Sequence, residues 1–231
     1  MPSKQAVTRI VLVDDHPICR QGLREIIESQ KDLSVCGTAE DIHGVLAEIE
    51  KLQPDLVVID ISLKDSNGLE LLKDLKVRAP ALKVLMLSMH DEVLYAQRAL
   101  RAGAGGYIMK HEATDKVLTA IRRVLSGDVY LSERMERKLM QQLVGGRSPK
   151  LGRSIEDLSD RELQVFNLIG EGKGTRQIAD LLHLSIKTIE SHRAHIKEKL
   201  CLNNANELVQ HAIQCANSEL SGAVTARQAV G

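Results

Sequence analysis

Five polar residues stand at or just past the ends of four short apolar runs in the first half of this 231-residue chain. Asp14 and Asp15 close RIVLVDD (9–15), and Asp60 closes DLVVID (55–60). Ser88 closes KVLMLS (83–88), and Lys110 ends the run that begins GGYIM (105–109). If the runs are parallel strands, all five side chains lie on one sheet edge. Three carboxylates brought so close repel one another unless a cation sits among them. A hard divalent ion with oxygen ligands suits them, and Mg²⁺ takes few carboxylates while keeping several waters. Lys110 could then neutralise a phosphoryl oxygen and Ser88 could hydrogen-bond another. A carboxylate nucleophile under these conditions can form an aspartyl-phosphate. A lone Asp at a strand end reads as a cap; five residues of matching chemistry do not.

The elements that must hold these residues follow from the pattern. With LSVCGTA (33–39) the runs number five, each aliphatic or β-branched with little alternation, as in strands buried on both faces of a parallel sheet. Helical patterns fill 17–30, 41–52, 67–78, 92–102 and 112–126; Ile42, Val45, Leu46 and Ile49 illustrate the spacing. This predicts an α/β fold, a doubly wound five-stranded parallel sheet over residues 1–130. Ligands of such sheets bind at the carboxyl ends of the strands. A further helix is expected over 131–143, then a flexible basic linker, VGGRSPKLGRS (144–154), so that 131–154 forms a linker region. Beyond it the pattern is helical only. Ser159 and Glu162 form a capping box. Thr175 is expected to cap a short helix, Ser185 a third running to Leu200, and Asn204 with Glu207 a fourth. Helices separated by a brief turn at His183-Leu184 make a helix-turn-helix pattern within 155–217. Residues 218–231 lack periodicity and are expected to be disordered.

Composition narrows the function classes. Lys and Arg total 31 against 31 Asp and Glu, so no global charge steers the chain to an anionic partner. Residues 131–153 nevertheless hold six basic and two acidic side chains. Aromatics make up 2%, which argues against single-strand binding by base stacking. Cys19, Cys36, Cys201 and Cys215 form no CxxC pair and read as reduced, partly buried thiols. No apolar run spans a membrane and no leader is visible, so a cytoplasmic protein is expected.

Residues 8–128 resemble a response-regulator receiver domain. The match lies in VLVDDHP, VVIDISL, Gly68 eight positions after Asp60, the LS of VLMLSMH, and GAGGYIMK. The resemblance implies that Asp60 is the phosphoacceptor and that Asp15 and Asp60 ligate Mg²⁺. Asp14 would act largely through water, and the Ser62 backbone carbonyl would add a ligand. It also makes Ser88 and Tyr107 a switch pair, the aromatic turning inward once the hydroxyl engages the phosphoryl group. Lys64 and His111 stand where many receivers have Pro. A cis peptide is costly without Pro, which leaves the loop geometry around Lys110 open.

Residues 158–200 resemble the LuxR-type helix-turn-helix in its NarL/FixJ response-regulator form, through Leu158, Glu162, Val165, Gly172, Ile178, Ala179, Thr188, Ile189, His192, Ile196 and Lys199 among others. On the recognition helix of that family Glu190, Ser191 and Ala194 would face base edges. Glu can accept from cytosine N4, and Ala can pack on a thymine methyl. Lys187, Arg193 and Lys197 read as phosphate or mixed contacts. Thr188 has a second reading as a local cap, and His192 reads better as a half-buried packing residue. The resemblance implies a two-component regulator phosphorylated by a sensor histidine kinase. It would be a homodimer when phosphorylated or on double-stranded DNA with inverted half-sites, with RNA polymerase a candidate further partner. It would assist its own phosphoryl transfer without being a turnover enzyme. Two other classes remain. A Mg²⁺-dependent aspartyl phosphohydrolase would need an acid/base Asp where Ser62 stands. A regulator gated by a small molecule would need an aromatic-lined pocket that this composition does not supply.

Overall fold

The computed structural model describes residues 7–63, 66–89, 92–144 and 154–227. The chain divides into two compact units, Met1–Arg147 and Ser148–Gly231. The basic stretch 145–153, Lys64 and residues 228–231 lie outside the described residues.

In the first unit, strands β1 (Thr8–Val13), β2 (Leu33–Ala39) and β3 (Leu56–Asp60) alternate with helices α1 (Pro17–Glu28) and α2 (Ile42–Leu52). A two-residue antiparallel ladder, β4 (Ser62–Leu63) with β5 (Ser66–Asn67), leads into α3 (Gly68–Arg78). Then come β6 (Lys83–Ser88), α4 (Glu92–Arg101), β7 (Gly106–Met109), α5 (Lys110–Ser126) and α6 (Glu133–Val144). The main sheet has the order β2-β1-β3-β6-β7, and its pairings are all parallel. It is a flavodoxin-like doubly wound sheet, as the unalternating runs predict. Ile10, Leu12, Leu56, Val58, Leu85 and Leu87 pack with Leu23 and Ile27 of α1 and with Val117, Ile121 and Val124 of α5. The intervening residues Val11, Val57, Ile59, Val84 and Met86 are equally buried on the other face. Burial on both faces is why the runs carry no polar alternation.

Two boundaries differ from the sequence reading. Lys110 is the first residue of α5 rather than the end of the last strand, and Met109 occupies the N-cap position. All described peptide bonds are trans, so His111 sits in an ordinary first helical turn. Helix α6 also belongs to the first unit rather than to a free linker. Its Met135 is buried, and the preceding Tyr130 donates its backbone N–H to Gly105 O at 3.1 Å. The Ser132 backbone N–H donates to Glu92 Oε1 at 2.9 Å, and the Ser132 hydroxyl donates to Glu92 Oε2. A nearly buried carboxylate at the start of α4 thus fixes the start of α6. Periodicity marks that helix but not the surface it covers.

The second unit contains a 3₁₀ turn (Ile155–Asp157) and helices α7 (Asp160–Gly170), α8 (Thr175–Leu181), α9 (Ile186–Leu200) and α10 (Ala205–Arg227). Leu163, Phe166, Ile178, Ile189, Ile196 and Leu208 form its buried interior. Gly174 rather than Thr175 is the N-cap of α8; its N–H donates to Gln177 Oε1 at 2.9 Å. Asn204 caps α10 as expected, accepting from the Glu207 N–H at 3.0 Å. The tail expected to be disordered is helical through Arg227, where no Pro interrupts the continuation of α10 past Ala216.

A capping carboxylate joins α7 to α9 in this unit. Glu162 Oε2 accepts from the Ser159 N–H at 2.7 Å and from Lys199 Nζ on α9 at 2.7 Å. Burial alone would raise this carboxyl, but Lys199 and then the Ser159 donors outweigh it and hold it below the usual carboxylate range. The stabilisation is complete above that range and is lost as acid protonates the folded carboxylate. Glu162→Ala is expected to cost about 1–2 kcal/mol near neutral pH, the usual scale of a cap with a charged bond. Amide hydrogen exchange in α7 of the full chain checks this. Protection should fall in the variant, and its gap from wild type should close on acidification. A gap independent of pH would remove the charge from the account.

Candidate functional site

The carboxyl edge of the sheet collects the expected residues. Asp14, at the end of β1, and Asp60, at the end of β3, are each 1% exposed. Lys110 Nζ lies 2.8 Å from Asp14 Oδ2 and 2.7 Å from Asp60 Oδ2, bridging the two. Asp15, half-buried, stands beside them and meets His16 Nδ1 at 2.6 Å. Burial pushes the Asp60 carboxyl up to about 7; the Lys110 charge opposes this and the Asp14 charge adds to it. Burial likewise pulls the Lys110 ammonium down, but Asp60 and then Asp14 more than restore it. Cys19 on α1 is pushed up to about 12 by burial and by Asp14, so it is an inert thiol here.

The chain builds this edge by tight turns. The His16 N–H donates to Asp14 Oδ1 at 2.8 Å, and Pro17 opens α1 with its φ preset. Arg20 on α1 donates to the Asp14 backbone carbonyl and pairs with Glu40 at 2.6 Å, which fixes the loop that presents the acidic pair. After Asp60, the Ser62 N–H donates to Asp60 Oδ1 at 3.3 Å. Gly68 N–H then donates to Ile61 O at 2.8 Å, and a Cβ on Gly68 would fall 2.0 Å from the Asp60 backbone oxygen. Ser88 is fully buried at the end of β6, whose Leu87 pairs in register with Asp60. Tyr107, in the adjacent β7, is fully buried and so already points inward.

Asp14, Asp15, His16 and Asp60 each offer a donor atom, all within 4.8 Å of one another. Asp14 Oδ2 and Asp15 Oδ1 are buried oxygens that accept no well-aligned hydrogen bond, although Lys110 Nζ and His16 Nδ1 lie near them. Such oxygens suit a hard divalent ion. His16 is the member that sequence reasoning missed. Its signal is its place between an acidic pair and the Pro that starts a helix.

In the second unit Ser185 caps α9, accepting from the Thr188 N–H at 3.0 Å. The Thr188 hydroxyl itself lies 2.8 Å from Ser185 Oγ, so it serves the local cap. Lys187, Glu190, Ser191 and Ala194 are exposed along one face of the helix, while Arg193 and Lys197 are half-buried on its flank. Glu198, one turn beyond Ala194, extends the exposed face. His192 is half-buried, and burial, then Arg161, lowers its pKa, in keeping with a packing role. Arg161 Nη2 donates to Leu182 O at 3.0 Å and ties α7 to the turn that precedes α9. On α10, Leu208 and Ala212 are buried, while Ile213 stays exposed.

A carboxylate-lined sheet edge closed by a lysine, in one chain with a helix-turn-helix, defines a receiver joined to a regulatory domain. Residues 10–122 match the response regulator receiver domain, and residues 156–212 match the bacterial regulatory proteins of the luxR family. The chain is 34% identical over 210 residues to the oxygen regulatory protein NreC of Staphylococcus carnosus, covering 89% of this chain and 97% of that relative. NreC of Staphylococcus aureus is 33% identical over the same coverage. Among solved structures, the RcsB response regulator of Salmonella typhimurium superposes with a TM-score of 0.66 at 25% identity, over 90% of this chain and 98% of that one. RcsB bound to promoter P1flhDC with the phosphomimetic BeF₃⁻ gives 0.60 at 26% identity, over 89% of this chain and 98% of that one. The chain therefore belongs to the two-component response regulators of the NarL/FixJ type. Among the described residues no helix is long and apolar enough to cross a membrane.

Proposed function

We propose that this chain is a DNA-binding transcription regulator switched by phosphorylation of Asp60. The observation that carries the reading is Lys110 Nζ bridging Asp14 and Asp60 on a buried sheet edge. Asp60 attacks the phosphorus of a phosphohistidine on a sensor kinase. An O–P bond forms, the P–N bond breaks, and the electron pair returns to the imidazole nitrogen, which takes up a proton. Asp15, Asp60 and the Ser62 carbonyl would hold Mg²⁺, with Asp14 acting through water, and the ion would supply charge neutralisation for the phosphoryl oxygens. Lys110 exchanges a carboxylate contact for a phosphoryl oxygen, and Ser88 donates to another. Tyr107, the aromatic member of the switch pair, is buried on the strand that pairs with the one bearing Ser88. The acylphosphate persists because no acid/base carboxylate stands at Ser62, so the chain is not a turnover enzyme. RNA polymerase and a cytoplasmic location accord with this role.

The α9 face reads DNA in this account. The module holds seven basic and nine acidic side chains over 154–216, so one copy binds weakly. Phosphorylation brings two copies together, and the gain is one of effective concentration. Two-fold symmetry then requires inverted half-sites about one helical turn apart. Mobility-shift assays with the full chain test this. A phosphodonor should tighten binding in wild type but not in Asp60→Ala, and one half-site should bind more weakly than two. Glu190→Ala should relax preference at one base pair per half-site, by about 1–3 kcal/mol for the preferred base. Lys197→Ala should weaken all sequences alike and flatten the salt dependence. Equal weakening of every sequence by Glu190→Ala would remove it from base recognition.

A further inference from the structure

Glu92 is the first residue of α4 and is 8% exposed, an unusual burial for a carboxylate outside the phosphoryl pocket. Both of its oxygens accept from Ser132, forty residues on. Oε1 takes the Ser132 backbone N–H at 2.9 Å, and Oε2 takes the hydroxyl. Ser132 in turn starts α6. Its Oγ accepts from the Met135 N–H at 3.2 Å, and its carbonyl accepts from the Glu136 N–H at 2.9 Å. Glu92 thus lies at the N-termini of two helices, α4 and α6, where both dipoles favour a negative charge. Leu131 and Met135 are buried on either side of the contact.

We infer that Glu92 is a positioning residue through which phosphoryl loading reaches α6: the Glu92–Ser132 clamp is closed while Lys110 holds both carboxylates, and loading of Asp60 opens it. The inference rests on the proposed switching role of Asp60 and goes beyond it by naming the contact that carries the change out of the pocket. The closed clamp and the Lys110 bridge between Asp14 and Asp60 occur together in this structure. On loading, Ser88 turns to a phosphoryl oxygen. Ser88 is the last residue of β6, and three residues join it to Glu92, so a shift of the strand end toward Asp60 pulls on the start of α4. Ser132 is anchored elsewhere. Two positions before it, Tyr130 donates to Gly105 O at 3.1 Å and accepts from the Tyr107 N–H at 2.9 Å, which ties it to β7. One partner of the clamp therefore follows β6 while the other stays with β7. A hydrogen bond lengthened by about 1 Å is no longer one, so a small relative shift suffices. Helix α6 runs into the basic stretch 145–153 that leads to the second unit, so the clamp fixes the receiver end of that connection.

Amide hydrogen exchange of the full chain, with and without acetyl phosphate and Mg²⁺, tests the inference, with Glu92→Ala and Glu92→Gln as variants. Intact mass of the same samples reports loading. In wild type, loading should speed exchange at the start of α6 about tenfold or more, the scale of a lost bond to a charged group. Glu92→Ala should exchange there rapidly whether loaded or not, while Asp60 still takes up the phosphoryl group. Glu92→Gln keeps an amide oxygen for the Ser132 N–H, so it should retain part of the protection and part of the response. Wild type that loads with unchanged or greater protection of α6 overturns the inference and leaves the switching role of Asp60 standing. So does a Glu92→Ala chain whose α6 responds to loading as wild type does. Wild type that takes up no phosphoryl group overturns both.

Discussion

Asp60→Asn should abolish phosphoryl loading. Wild type, incubated with a small phosphodonor and Mg²⁺, should gain one phosphoryl group on Asp60, located by peptide mass spectrometry. The amide of the variant is isosteric but cannot supply a carboxylate oxygen as nucleophile. Burial pushes the wild-type carboxyl up to about 7, so the metal-free pocket holds a substantial fraction protonated near neutrality. A divalent ion favours the ionised form, and loading should depend on it steeply. Lys110→Ala should behave differently. It removes the cation that spans Asp14 and Asp60 but leaves the nucleophile, so loading should continue while the phosphodonor no longer tightens DNA binding. Phosphate found on another residue, or unchanged loading in Asp60→Asn, would refute the pocket.

Gly68→Ala is expected to damage the same pocket through backbone alone. The added methyl would lie 2.0 Å from the Asp60 carbonyl oxygen and 2.9 Å from its carbon, with the Ile59 side chain at 3.0 Å. None of these atoms is the far end of a flexible side chain. The strand end and the start of α3 must separate, which breaks the Gly68 N–H bond to Ile61 O at 2.8 Å. Overpacking together with a lost buried bond places the cost at about 2–4 kcal/mol. Asp60 rides on the displaced backbone, so loading should slow even where the variant remains folded. Denaturant unfolding and the loading assay measure the two effects separately. Gly22→Ala is the control: a Cβ at this position in α1 meets nothing within 4 Å, so the change should be neutral or slightly stabilising. A Gly68→Ala chain as stable and as readily loaded as wild type would contradict the packing.

The strand-terminal carboxylates were legible in the sequence because the runs before them are short, apolar and unalternating, which only a sheet covered on both faces explains. Asp14, Asp60 and Lys110 had to meet once those strands were parallel, whatever their separation along the chain. The Ser159 and Ser185 caps were legible for a local reason, since the groups they satisfy lie within three residues. Other features depend on partners distant in the chain. The α6 periodicity could not reveal that Glu92 would fix its first turn, because the two lie forty residues apart. His16 looked like an ordinary loop residue until Pro17 and Asp14 set the direction of its ring. Gly68 reads in sequence as a turn residue, and only the close approach of the Asp60 carbonyl makes it indispensable. The apolar residues of α10 were divided by packing alone, Leu208 and Ala212 entering the interior and Ile213 remaining at the surface. Period and local hydrogen bonding are written along the chain. Which buried group meets which across the fold follows from the packing of elements, and that is a property of the tertiary structure.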